Sequence, residues 1–375
     1  MKRKEFIQIS GMAAAGAALG LKGFRAEVRG DVEGPSSIRT AIYELRLKHA
    51  WTLSRGTWNV RRNVLVRVEK DGVAGMGEAA PIARYNESAE SGLAFIQRVK
   101  PIFEKDLWQY HDRWREIDAL APGEHAAKAA LDMAMLDWVC RKLGIPLYRF
   151  LGLDKTKTPP TTYSIGLDEI KVMQDKVREA ADFMVYKIKL GSKNDRAVID
   201  GIREVTAKPI RVDANEGWKT KEEALAMIEW MAGKGVELVE QPMPAAMTGE
   251  AEWLKSRSPL PLFADESLMT AADIPGIARG FHGINIKLMK CGGIQEAVRM
   301  TALARALGLK IMLGCMIETS LAITAGAAVS PLFDYADLDG NLLIANDPFR
   351  GARTVRDRLV LGDDPGLGVE GNAWN

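Results

Sequence analysis

The chain has 375 residues, 47% of them apolar and 27% charged, a composition ordinary for a globular protein and a length beyond one ordinary domain. Its 51 basic and 49 acidic residues leave a net charge of +2, which argues against nucleic acid or an anionic membrane as the main partner. Three cysteines (Cys140, Cys291, Cys315) without CxxC spacing, four histidines without HExxH, and no GxSxG weaken the disulfide-framework, zinc-finger, zinc-hydrolase and serine-hydrolase readings.

Residues 1–8 are basic and residues 9–21 apolar, small and rich in Gly and Ala, which resembles a bacterial export signal. Arg3-Lys4-Glu5-Phe6-Ile7 is a degenerate twin-arginine pattern with lysine in the second position. The apolar run is too short to span a bilayer comfortably, so no stable membrane association is expected. A periplasmic location is expected, with a cytoplasmic protein carrying a disordered tail as the alternative. Phe24-Arg25-Ala26 matches an A-x-A cleavage site poorly, and residues 1–35 are set aside as signal-like segment and linker.

Residues 36–158 read as an α+β capping module. Over 39–80 apolar and polar positions alternate, as in Val64-Leu65-Val66-Arg67-Val68, with a turn at Asp71-Gly72, so a small antiparallel sheet is expected. Within it, Trp51-Thr52-Leu53-Ser54-Arg55-Gly56-Thr57-Trp58 reads as a flexible loop. From Ser88 the period becomes helical, and the last helix stops at Gly144 with Pro146 close behind. Pro159-Pro160 marks a hinge. Strand and helix patterns then alternate over 159–345, with strands expected at 161–166, 184–189, 209–213, 236–240, 261–265, 283–287, 310–315 and 332–337. Eight such units fit a TIM-type barrel with an abbreviated last helix. A doubly wound sheet would need a switch point and usually a Gly-rich phosphate loop, and neither is visible. Residues 346–375 are expected to pack near the capping module.

Lys189, Asp213, Glu240, Asp265 and Lys287 recur at intervals of 22 to 27 residues, each at the end of a strand-like run. The C-terminal ends of barrel strands converge on one mouth, so three carboxylates meet there between lysines. Such an oxygen-only set suits Mg²⁺, with Mn²⁺ able to replace it, and without His or Cys it disfavours zinc. Each acid could instead cap the helix after its strand, but three in succession at one level make capping the weaker reading. With no cation present the acids are expected to raise one another's pKa. Lys187 and Lys189 share a strand face, and their proximity is expected to depress the pKa of both. Lys287, four strands on, faces them across the barrel. A carbon held between could lose a proton to one side and regain it from the other; simple pairing of the lysines with the acids is the alternative.

These residues resemble the enolase superfamily in its muconate-lactonizing-enzyme-like subgroup. Lys187-Ile188-Lys189 is similar to its KxK element, and Asp213-Ala214-Asn215, Glu240-Gln241-Pro242 and Asp265-Glu266-Ser267 to its three metal-ligand motifs. Asn285-Ile286-Lys287 with Gly292-Gly293 is similar to its opposing lysine motif. Ala130-Leu131-Asp132-Met133-Ala134 with Gly144-Ile145-Pro146-Leu147 resembles the end of its capping domain. The resemblance runs over roughly residues 40–350. It implies a capping domain on a modified (β/α)₇β barrel, one Mg²⁺ on Asp213, Glu240 and Asp265, and removal of a proton α to a carboxylate, the chemistry for which this superfamily is the standing example.

Within that family Lys/Lys members cycloisomerise muconate, form o-succinylbenzoate, racemise N-acylamino acids or epimerise dipeptides. Asp337-Leu338-Asp339-Gly340 sets two acids at the mouth of the eighth strand, where a D-x-D in dipeptide epimerases binds the substrate's ammonium group. The other activities have no amine to hold there, and buried unpaired acids are costly; a polar turn is the plain alternative. Arg55 is a candidate clamp for a glutamyl carboxylate, with a solvated surface arginine as the alternative. Ser164 on the first barrel strand and Cys315 on the seventh are further substrate-binding candidates, the latter as pocket wall, and Lys187 joins them as a cation near the developing charge. The expected reaction is interconversion of L-Ala-D-Glu and L-Ala-L-Glu, a murein fragment, by Lys189 and Lys287. o-Succinylbenzoate synthase, N-acylamino acid racemase and an exported peptide-binding protein with a decayed site are the alternatives. The oligomeric state is left open, a homo-oligomer included.

Overall fold

The computed structural model describes residues 36–374; the export-signal expectation lies outside these residues. The chain begins with a long antiparallel meander, β1 (Ser37–Leu53), β2 (Gly56–Lys70) and β3 (Val73–Ala79). Trp51–Trp58 is therefore not a loop. The two strands run through it to a tight turn at Ser54-Arg55, because Trp51 faces Trp58, Thr52 faces Thr57, and the two threonine hydroxyls sit 3.0 Å apart. Aromatic and β-branched cross-strand pairs of this kind stabilise a ladder where a Gly and a Ser alone suggest a break.

The helix His125–Leu143 lies on this sheet and ends at Gly144, whose φ of +69° is the left-handed geometry that glycine adopts without penalty. Its approach is close: a Cβ on Gly77 would fall 1.9 Å from the Ala130 carbonyl oxygen. Trp138 Nε1 also donates to Lys70 O at 2.9 Å, and Met76 N to Asp137 Oδ2 at 2.9 Å.

Eight parallel strands follow: β4 (Tyr163–Ile165), β5 (Tyr186–Lys189), β6 (Ile210–Asp213), β7 (Val236–Glu240), β8 (Leu262–Ala264), β9 (Gly283–Lys287), β10 (Lys310–Gly314) and β11 (Tyr335–Asp337). They pair in sequence order, and a parallel bridge from Thr161 to Ala336 brings the first back to the last. Helices follow the first seven strands, and after β11 comes only a short turn of 3₁₀ helix, Gly340–Leu343. This is the (β/α)₇β barrel. β5, β6 and β9 are buried at every residue, which makes each charge in them exceptional.

The sheet and barrel are joined by buried polar contacts. Glu78 accepts from Thr319 N at 3.0 Å and from Asn63 Nδ2 at 2.7 Å, while Asn63 Nδ2 also reaches Ile317 O at 3.0 Å. Asp132 accepts from Ile294 N and Gln295 Nε2, both at 2.6 Å, at the start of the barrel helix Ile294–Ala306. The C-terminal segment returns to the capping helix, with Leu367 N donating to Asp137 Oδ1 at 2.7 Å. No helix among the described residues is long and apolar enough to cross a membrane.

Candidate active site

Strand register sets the site. Lys189 pairs with Asp213 and Asp213 with Glu240 as Cα partners, and Gly314 stands between Lys287 and Asp337. The functional groups therefore share one level at the C-terminal mouth. Beyond the acids the chain turns sharply through left-handed residues other than glycine: Asn215 (φ 45°), Glu216 (65°) and Gln241 (36°). Such strain persists only where surrounding contacts over-determine it. Here Asn215 N is held by Asp213 Oδ1 at 2.9 Å, and Gln241 Oε1 accepts from Asp265 N and Ser267 N.

Asp213, Glu240 and Asp265 are buried and bring one carboxylate oxygen each within 4.8 Å of the others. Lys189 Nζ donates to Asp213 at 2.7 Å and Lys287 Nζ to Asp265 at 2.8 Å. Lys187 Nζ meets Asp337 at 2.6 Å, Glu240 at 2.9 Å and Asp213 at 3.4 Å. The expected mutual depression of the lysines does not hold for Lys187. Burial lowers its pKa, but Asp337, Glu240 and Asp213 outweigh that and hold it well above the ordinary lysine value. Lys287 is likewise raised, Asp265 outweighing burial. The expected mutual elevation of the acids holds for Glu240 alone, pushed up to about 8 by burial and the Asp213 charge. Asp213 lies below its ordinary value because Lys189 and Lys187 outweigh burial, and Asp265 lies well below because Lys287 and Lys290 do.

Lys290 was not singled out by sequence. It sits three residues past Lys287 on the short helix Leu288–Cys291 and donates to the Asp265 carboxylate and to Asn285 O. Asn285, another residue the spacing did not mark, donates through Nδ2 to Glu240 Oε1 at 2.9 Å. The three acids offer oxygen donors only, from adjacent strands, at a separation that one small hard cation can bridge. They fit a divalent metal.

Asp337 and Asp339 are both buried and stand beside β4. Ser164 donates its N–H to Asp339 at 2.5 Å and brings Oγ to 3.3 Å from both acids, while Thr162 Oγ1 donates to Asp337. The two acids diverge in ionisation. Burial raises Asp337, but Lys187 outweighs it and holds the carboxyl below its ordinary range; burial and the neighbouring Asp337 charge push Asp339 up to about 7.

A cavity of about 390 Å³ opens over the site, lined by Lys189, Lys287, Asp265, Ser164, Asp337 and Asp339, with Arg55, Cys315, Trp51 and Trp58 among its walls. Lys187 lies beneath this floor, engaged with acids rather than lining the cavity. Cys315 is a wall whose thiol pKa is pushed well up by burial, which suits it poorly to nucleophilic work. Arg55 is exposed but not merely solvated: its Nη1 donates to Glu266 at 2.8 Å and to Asn215 O at 3.2 Å.

Residues 37–152 match the N-terminal domain model of mandelate racemase and muconate lactonizing enzyme, and residues 172–374 match the enolase C-terminal domain-like model. The chain belongs to the enolase superfamily. An L-Ala-D/L-Glu epimerase of Bacteroides thetaiotaomicron is 46% identical over 328 residues, 87% of this chain and 86% of that protein. The substrate-liganded L-Ala-D/L-Glu epimerase of Bacillus subtilis superposes with a TM-score of 0.86 at 32% identity, covering 90% of this chain and 99% of that one. A dipeptide epimerase of Enterococcus faecalis, complexed with Mg and L-Leu-L-Tyr, superposes at 0.84 and 30% identity, covering 90% and 99%. The enolase-superfamily relatives thus span acidic and apolar dipeptides on one scaffold.

Proposed function

We propose that this chain is a dipeptide epimerase that inverts the α-carbon next to a free carboxylate, with L-Ala-D-Glu and L-Ala-L-Glu as preferred substrates and Mg²⁺, or Mn²⁺ in its place, as cofactor. The observation that carries the reading is the Asp337/Asp339 pair on the wall of the same cavity as Lys189 and Lys287. A dipeptide has an ammonium at one end and an acidic Cα–H at the other, and the cavity offers acids for the first and amines for the second.

Lys189 and Lys287 come from β5 and β9, four strands apart, so they approach a bound α-carbon from opposite faces. One neutral amine takes the α-proton, and the opposing ammonium returns a proton to the other face, so the reaction balances as an isomerisation. A positioned lysine contributes roughly 10²–10⁴-fold, which leaves much of the barrier to electrostatic stabilisation of the carboxylate. A divalent cation on Asp213, Glu240 and Asp265 would supply that stabilisation as a Lewis acid. Ser164 and Thr162 orient Asp337 and Asp339 for the ammonium. The o-succinylbenzoate and N-acyl readings bring no ammonium to those two acids, and a decayed binding protein would have lost a ligand or a lysine.

The test is ¹H NMR of L-Ala-D-Glu and L-Ala-L-Glu in D₂O with Mg²⁺. Deuterium enters the Glu α-position from both epimers in the wild type, whereas Lys189→Ala and Lys287→Ala each abolish exchange from one epimer. No exchange by the wild type overturns the reading, and undiminished exchange in either variant removes that lysine. A murein-recycling role and export to the periplasm belong to the same proposal, supported by the glutamyl reading and by the basic-then-apolar residues 1–21. A reporter fused to that segment and found wholly cytoplasmic would overturn the export part.

A further inference from the structure

Two residues after Asp213 the backbone enters the left-handed region and stays there, with Asn215 at φ 45° and Glu216 at φ 65°. Glycine takes such angles without penalty, whereas a glutamate takes them at a cost that its surroundings must offset. The Glu216 side chain supplies the offset, because three parts of the molecule meet at its half-buried carboxylate. Oε1 accepts from Ala245 N at 2.9 Å, in the loop that follows β7. Arg84 of the capping module makes a two-point contact, Nε to Oε2 and Nη2 to Oε1, each at 3.0 Å. Such a paired contact fixes direction as well as distance. Arg55 Nη1 stands farther off, at 3.5 Å from Oε2.

The backbone of the same turn holds two acids of the cradle in place. Asn215 N donates to Asp213 Oδ1 at 2.9 Å, which leaves Oδ2 facing Lys189. Glu216 N donates to Gln241 O at 3.0 Å and Ala214 N to Glu240 O at 3.1 Å, so the turns after β6 and β7 are bonded to each other beside Asp213 and Glu240. Were the turn to relax to negative φ, the Asn215 and Glu216 N–H groups would swing away from both acceptors. Arg84 itself lies in the 3₁₀ turn Ala83–Tyr85, which carries Tyr85 into the cavity wall beside Lys287 and Asp265. The capping loop and the cradle therefore share one clasp.

We propose that Glu216 is a positioning residue for the metal cradle, and that Arg84 couples the seating of the capping loop 83–86 to the affinity of Asp213, Glu240 and Asp265 for a divalent cation. Both act through the strained turn rather than as ligands of the cation. The claim rests on the divalent-cation reading of the cradle and not on which dipeptide is turned over. Coupling of this kind is reciprocal: if the clasp tightens cation binding, a bound cation holds the loop down by the same factor.

The experiment titrates Mg²⁺ into substrate-free enzyme by calorimetry, in wild type, Arg84→Met, Glu216→Gln and the double variant. Arg62→Met is the control, because it breaks only exposed pairs of the capping sheet with Glu44 and Glu90. The Kd for Mg²⁺ rises roughly 10- to 100-fold in Arg84→Met, the usual scale for a contact that orients a metal ligand from outside. It also rises in Glu216→Gln, which keeps an acceptor for Ala245 N and so guards against a misfolded turn. The double variant loses no more than the larger single loss, since both changes remove one link, and Arg62→Met is unchanged. Saturating Mg²⁺ slows amide hydrogen exchange at Tyr85 and Asn86 in the wild type by a matching factor, and does not in Arg84→Met. An unchanged Kd in Arg84→Met, losses that add in the double variant, or wild-type exchange at Tyr85 and Asn86 that ignores Mg²⁺ would each overturn the coupling. Those results leave the cation reading standing; a wild type that binds no Mg²⁺ overturns both.

Discussion

Asp339→Asn is the most revealing single change in the ammonium subsite. Asp337 already shares its charge with Lys187 at 2.6 Å, so Asp339 supplies most of the net negative charge available to a substrate amine. Two unit charges about 4 Å apart interact by about 4 kcal/mol at an effective dielectric of 20; part of that is spent on desolvating the ammonium, leaving about 2–3 kcal/mol, or ~30- to 150-fold in kcat/KM. The carboxyl is ionised only above about 7, and a dipeptide's α-amino group loses its proton near 8. For a free-amine dipeptide kcat/KM should therefore be bell-shaped, rising about tenfold per pH unit below 7 and falling above about 8.

The variant is expected to fold. Asn keeps an oxygen for the Ser164 N–H, and the sign of the linkage favours it. The folded pKa of Asp339 lies above the ordinary 3.8, so the native carboxyl costs stability progressively as pH rises from there to about 7. Removing it should leave the melting temperature at pH 8 equal or higher. The assay is steady-state deuterium exchange across pH 5.5–9 on L-Ala-L-Glu and on its N-acetyl derivative. The acid limb near 7 should vanish in Asp339→Asn, and the N-acetyl substrate should be nearly indifferent to the mutation, giving a coupling energy of the size above. A limb at 7 that survives the mutation, or losses that simply add, would refute the argument.

Chelation should abolish deuterium exchange and Mg²⁺ should restore it. Mg²⁺ at a hundredfold excess over its Kd should add about 2.7 kcal/mol of stability, read as a rise in melting temperature that Asp213→Asn removes. Exchange by metal-stripped enzyme would contradict the metal assignment. Gly77→Ala should cost about 1–3 kcal/mol or more by denaturant titration, because its Cβ meets the Ala130 carbonyl at 1.9 Å and the helix must lift; an unchanged midpoint would show that the interface yields freely. Asp132 is pushed up to about 6 by burial, so its ionisation weakens the fold as pH rises from about 3.8 to about 6. Asp132→Asn should flatten that part of the stability–pH curve, and an identical curve would clear Asp132 of the effect.

The barrel was readable because its strands are buried on both faces. Where a strand is buried along its length, a lysine or an acid closing the run is not there for packing, and five such closures at intervals of 22 to 27 residues point to both the fold and the mouth. Asp337 and Asp339 were readable from their place at the end of the eighth strand and their resemblance to the D-x-D of dipeptide epimerases, and the structure adds that both are buried. The hairpin at Trp51–Trp58 was misread because Ser54 and Gly56 look like a break, while the tryptophan and threonine pairs that extend the ladder exist only once the two strands are aligned.

Ionisation was the least legible property, since it depends on partners remote in sequence. Two lysines two residues apart suggest repulsion, yet Lys187 is governed by Asp337, 150 residues away. The arginines make the same case. Arg55 and Arg61 lie six residues apart on one hairpin and nothing local ranks them. Glu266, 211 residues on, accepts from Arg55 Nη1, and among the described residues Arg61 has no carboxylate within ion-pair reach. Sequence spacing locates chemistry where one strand holds both the residue and the reason for it. Where the reason is a counter-ion from another part of the barrel, only the folded arrangement can say which charge is engaged and which is available to a substrate.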